Sequence, residues 1–168
     1  MPEFVLNVND YRAFQKLDAF TRGYIEALFF TDEEQLCDES DRDMPSVAID
    51  TATMEPRFVG GDSPGFDDLA PETLAAIIAD CEAFQRVHAD LLDAAYEHGG
   101  ERGSYDSERA GNDFWYSRNG HGVGFWDRGL GDIGDALSNA CGWKSRASAH
   151  PFPERDSYIG DDGKVYLA

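Results

Sequence analysis

Cations are scarce in this chain: 3 Lys and 11 Arg stand against 33 acidic residues, for a formal net charge of -19 over 168 residues. A surface so poor in positive charge repels nucleic acid and acidic membranes, so neither is an expected partner. Cysteine is sparse too. Cys37, Cys81 and Cys141 are odd in number and show no CxxC or Cys/His spacing. That argues against a disulfide framework or zinc site and for reduced thiols in a cytoplasm. No apolar run approaches the roughly 20 residues of a membrane span. Met1-Pro2-Glu3 is not the basic-then-apolar opening of a leader peptide. A GxxxxGK phosphate loop is missing as well, which removes the commonest nucleotide-binding signature.

What is present argues for folded protein. Hydrophobic residues make up 42% and aromatics 12%, a density of Phe, Tyr and Trp that disordered acidic chains lack. One domain spanning 1–168 is expected, because roughly 100–200 residues per domain is usual. The acid is front-loaded: residues 1–100 hold 22 acids and 6 bases, residues 101–168 hold 11 and 8. Its densest stretch runs from Asp32 to Asp43, where Asp32, Glu33, Glu34, Asp38, Glu39, Asp41 and Asp43 meet only Arg42. Such a block repels itself and stays solvated.

Apolar spacing predicts a helix over about 11–30, capped by Asn9 or Asp10, with Phe14, Leu17, Tyr24, Ile25, Leu28 and Phe29 on one face. Residues 31–65 read as an irregular acidic arm with short extended segments at Val47-Ala48-Ile49 and Arg57-Phe58-Val59. Pro71 starts and Gly99-Gly100 stops the clearest helix. Its stripe of Leu74, Ile77, Cys81, Phe84, His88, Leu91 and Ala95 makes His88 a core histidine, while Asp90, Asp93 and Glu97 lie opposite. A polar linker is expected over 101–112. Beyond it, the runs 113–118 and 123–128 flank Asn119-Gly120, a strong hairpin signal because a primed turn needs positive φ. A short helix over 131–143 and a last hairpin through Gly160-Asp161-Asp162-Gly163 complete the chain. The expected class is α+β, with two long amphipathic helices packed on a small antiparallel sheet of β-hairpins.

Candidate chemistry is thin. Gly120-His-Gly-Val-Gly124 is followed by an extended run rather than a helix, so it reads as a turn and not a dinucleotide loop. Asp113, His121 and Asp127 are of the right types for metal ligands or acid/base groups. The sequence supplies no second histidine at ligand spacing, so Asp113 and Asp127 are expected to pair with Arg118 and Arg128 on the solvent face. Asp161-Asp162-Gly163 lacks the alternating oxygen ligands of a calcium loop. Trp115, Tyr116, Phe125 and Trp126 alternate along their runs, placing at least one of each pair in the core. Neither a catalytic set nor a metal or cofactor is expected.

The stretch from Ala110 to Gly131, AGNDFWYSRNGHGVGFWDRGLG, resembles a family of small, mostly uncharacterised acidic proteins of tailed phages and prophages. Similarity continues through Arg22–Asp32, Phe66–Leu74, Ile77–Cys81 and Tyr158–Tyr166, so it covers most of the chain. The resemblance implies a phage protein in the host cytoplasm, and no catalytic assignment. Small acidic phage proteins recurrently block host DNA-binding machinery. The leading expectation is therefore an inhibitor of the anti-CRISPR or antirestriction type, mimicking DNA on the basic surface of a host nucleic-acid-binding complex. The expected partner-binding acids are Asp32, Glu33, Glu34, Asp38, Glu39, Asp41, Asp43, Asp90, Asp93 and Glu97. The competing readings are a metal-dependent phage enzyme using 113–128 and an accessory protein whose acidity only keeps it soluble.

Overall fold

The structure, a computed structural model, describes residues 6–36, 47–49, 56–58, 64–142 and 152–168. Among the described residues it comprises six α-helices and two antiparallel strand pairs, an α+β arrangement. The first predicted helix is two. Asp10 caps α1 (Tyr11–Lys16), its Oδ1 accepting from the Ala13 N–H at 3.0 Å. Leu17 then turns extended, and Asp18 opens α2 (Ala19–Leu36) by accepting from the Thr21 N–H at 2.7 Å. An aspartate two residues after a helix end competes for the backbone donors that continuation would use. Helix α2 runs six residues past its expected end and takes Asp32, Glu33 and Glu34 out of the predicted irregular arm.

The long helix after Pro71 is also divided, into α3 (Pro71–Val87) and α4 (Ala89–His98), with His88 (φ -113°, ψ 25°) capping both. Carbonyl-to-amide bonds still run from Phe84 to His88 and from His88 to Leu92, so the axis bends without unravelling. Ile77, Cys81 and Phe84 are buried as expected, Leu74 and Leu91 are only partly so, and the bend moves the α4 core position to Leu92. His88 lies at the core margin, half-buried, 4.9 Å from the Phe84 ring. Gly99, at φ 75°, ends α4.

The largest departure from expectation is α5 (Ser107–Arg118), which occupies half of the predicted linker and the whole first strand of the predicted hairpin. Asp106 caps it by accepting from the Arg109 N–H at 3.0 Å. Ala110, Gly111, Asp113, Phe114, Trp115, Ser117 and Arg118 are buried, and the less buried Glu108, Asn112 and Tyr116 recur every four residues, a helical period and not 2. Gly120 does adopt positive φ (68°), but it follows a helix end. The left-handed conformation that suits a primed turn equally suits a helix stop. The second predicted strand is a 3₁₀ turn at Phe125–Asp127, leading to α6 (Asp132–Cys141).

Helices α2 and α5 form the closest contact. A Cβ at Gly23 would overlap the Glu108 carbonyl, and one at Gly111 would overlap the Phe20 carbonyl. The two backbones meet because neither position carries a side chain. Around this crossing Phe84 stacks on Phe114 at 4.3 Å between ring centroids, with Phe20, Tyr24, Phe125 and Phe152 alongside.

Strands β1 (Val47–Ile49) and β2 (Pro56–Phe58) pair antiparallel, with β2 one residue earlier than expected. Strands β3 (Ser157–Ile159) and β4 (Val165–Leu167) form the last predicted hairpin, Tyr158 opposite Tyr166. Val165 accepts from the Ala70 N–H at 3.0 Å, tying β4 to the start of α3. The predicted helices-on-sheet packing is therefore replaced by helix on helix, because each strand has three residues and cannot cover an 18-residue helix.

Candidate functional site

Helix α4 presents Asp90, Asp93 and Glu97 to solvent at steps of three and four residues, which keeps them on one helical face. Glu101, Asp106 and Glu108 continue the exposed acid through the connection into α5. The expected polar linker over 101–112 thus carries three exposed acids outside the expected partner-binding set, alongside exposed Arg102 and Arg109. Their signal was present only as individual residues, since the block-wise charge of the second half is small.

The block at 32–43 behaves differently from its sequence. Asp32 is 8% exposed: it accepts from the Ser157 hydroxyl at 2.5 Å and from the Thr31 hydroxyl at 2.9 Å, anchoring β3 to α2. It presents no carboxylate to a partner. Glu33 is exposed. The Glu34 side chain and Asp38, Glu39, Asp41 and Asp43 lie outside the described residues.

Of the expected ion pairs, Asp113 does meet Arg128, but with its carboxylate buried rather than on the solvent face, while Arg118 turns inward to Asp80. Asp113 accepts from Arg128 Nη2 at 2.7 Å and Nε at 2.9 Å, and from the Tyr105 hydroxyl at 2.9 Å. Burial pushes its carboxyl above the usual carboxylate range, against the lowering pull of Arg128. Arg118 is 1% exposed and reaches Asp80 at 2.9 Å, the Tyr24 hydroxyl at 3.0 Å and the Pro153 carbonyl at 2.8 Å. Five residues apart on one helix, positions 113 and 118 face different sides of the interior and take separate partners.

His121 does not join Asp113. It lies in the loop after α5, its backbone N–H donated to the Tyr116 carbonyl at 3.1 Å, and lines a groove of about 280 Å³. The groove is walled by Tyr116, the 120–123 loop, Val123 and Trp126, with Asp135, Ser138 and Asn139 of α6 opposite. Trp126 is 48% exposed while its neighbour Phe125 is fully buried, so one of each aromatic pair does turn inward, although on a helix and a 3₁₀ turn. Asp127 is exposed and outside the groove. Among the described residues no three His, Cys, Asp or Glu side chains converge as metal ligands. No described helix is long and apolar enough to cross a membrane.

Comparison with protein families, curated proteins and solved structures gave no match to this chain.

Proposed function

We propose that this chain is a single-domain acidic inhibitor of phage origin that acts in the host cytoplasm by occupying the basic surface of a nucleic-acid-binding defence or DNA-processing complex. The observation that carries the reading is the row of exposed carboxylates on α4, Asp90, Asp93 and Glu97. At ~1.5 Å per residue the row spans about 10 Å. One DNA strand, with one phosphate per ~3.4 Å, carries about three charges over that length. A groove shaped for phosphates meets carboxylates at similar linear density and is approached under the same long-range attraction. Glu101, Asp106 and Glu108, also exposed, follow the row along the chain with Arg102 and Arg109 interspersed. Asp32 is no part of it, since its carboxylate serves the β3 anchor.

The test is capture of a partner from host lysate across rising salt, followed by competition with duplex DNA on the purified complex. Reversing Asp90, Asp93 and Glu97 to Lys should weaken binding at least about tenfold with an unchanged melting temperature, as loss of several steering charges requires. Partner and DNA bound together without interference, or affinity indifferent to both salt and the reversals, would overturn the proposal.

A further inference from the structure

The groove beside α6 has a lining suited to a cation. Among the described residues its one carboxylate is Asp135, its other polar side chains are Asn139, Ser117, Ser138, Tyr116 and His121, and neither Lys nor Arg borders it. Ser138 Oγ is out of solvent and has no hydrogen-bond partner among the described residues. The Tyr116 and Trp126 rings and the Val123 side chain supply the apolar wall, and Trp126 and Val123 are 48% and 38% exposed. Among the described residues an anion would meet Asp135 with no arginine or lysine to offset it. The volume of about 280 Å³ lies just under the ~300–1,000 Å³ typical of drug-sized ligands and cofactors. It suits one side chain and not a dinucleotide.

We propose that this groove is a docking pocket for one arginine side chain of the protein partner. The stem would lie along Val123 and Trp126, and the guanidinium would reach Asp135 and Asn139. A guanidinium fits better than an ammonium because it is planar, stacks on aromatic faces and presents five donors in a fixed fork to several acceptors. The identity of the partner rests on the acidic-surface reading above; the cation preference of the groove does not. The surplus of 19 negative charges raises the local concentration of any basic segment, and the groove then gives one of its side chains a defined seat.

The experiment is titration of the intact protein with N-acetyl-arginine amide, followed through the indole N–H resonance of Trp126, which is identified by its loss in Trp126→Phe. A saturable shift is expected, with no saturation by the neutral citrulline analogue and weaker binding by the lysine analogue. Asp135→Asn should weaken the arginine compound about tenfold, the scale of one charge-assisted hydrogen bond, at an unchanged melting temperature. Trp126→Ala, a change at a half-exposed ring, should weaken it too when read by calorimetry. The triple reversal of Asp90, Asp93 and Glu97 to Lys should leave binding within about twofold, since exposed charges away from the groove are screened. An equal response to citrulline, indifference to Asp135→Asn, or equal loss in the triple reversal would overturn the pocket. Those results are separable from the partner experiment: a chain that seats arginine but fails to compete with DNA keeps the pocket and loses the mimicry, and the converse outcome does the reverse.

Discussion

Arg118 gathers much of the polar interior. Its guanidinium reaches Asp80, the Tyr24 hydroxyl and the Pro153 carbonyl, and it lies 5.3 Å from the Phe114 ring centroid. Arg118→Met keeps the stem but strands these acceptors. Removing one partner of a buried pair typically costs 3–5 kcal/mol, and about 3 kcal/mol is expected here because Asp80 retains some water, measured by urea denaturation. His88 gives a separate pH signature. Burial lowers its pKa from 6.5, so the unfolded chain binds the proton more tightly than the fold does. The stability it lends is complete above the ordinary value and is lost as pH falls through the folded one. Melting temperature should therefore decline as pH drops below about 6.5, and His88→Gln should flatten that part of the profile. Asp113, whose pKa burial raises, has the opposite sign: its contribution is present below the ordinary carboxylate range and is lost as pH rises through its folded value. Arg128 stood among the partners expected for Asp113, whereas nothing in the spacing matches Asp80 to Arg118. Asp113 pairs 15 residues away with Arg128, and Asp80 pairs 38 residues away with Arg118.

Among the elements, the crossing of α2 and α5 depends on what two glycines leave out. Gly111→Ala places a Cβ on the Phe20 carbonyl, and a backbone atom cannot swing aside as a flexible side chain would. Destabilisation of at least about 3 kcal/mol is expected, at or beyond the upper end for overpacking. Gly103→Ala is the control: nothing lies within 4 Å of its Cβ, and only the positive φ of 64° is penalised, about 1–2 kcal/mol. Equal losses in the two variants would show that the crossing is looser than described. The element that carries Gly111 is a helix where the sequence predicts a linker and a strand. Phe114 to Arg118 is short and rich in residues that favour strands, and an Asn-Gly pair follows it. Each signal is compatible with either structure, because a short apolar run cannot be assigned by periodicity alone. The Asp106 cap and the depth to which Gly111 is buried decide for helix, and the second is visible only once α2 is in place.

Across the whole molecule, Phe84 reports on the core because its ring meets Phe20, Phe114, Phe125 and Phe152 from four segments. Phe84→Ala should cost about 3–5 kcal/mol by thermal or chemical denaturation, as large-to-small changes at packed aromatic sites do. Its burial was legible from the stripe of α3, as were the Asp10 cap, the start at Pro71, the stop at Gly99 and the β3–β4 hairpin, each set by residues within a few positions of one another. The exposed acids of α4 were legible for the same reason, being opposite an apolar stripe. The groove was not: its loop was recognisable as a turn, but Asp135, Ser138 and Asn139 reach it from another helix. By itself the sequence determined the surplus of negative charge, the content of apolar side chains and the local caps and turns, because these follow from composition and from interactions over one helical turn. Tertiary structure alone decided that α5 is a helix, that Asp32 faces inward and that Arg118 serves Asp80. Those outcomes depend on burial, which raises the cost of an unpaired charge and of an ill-fitting backbone, and burial arises only when distant segments pack.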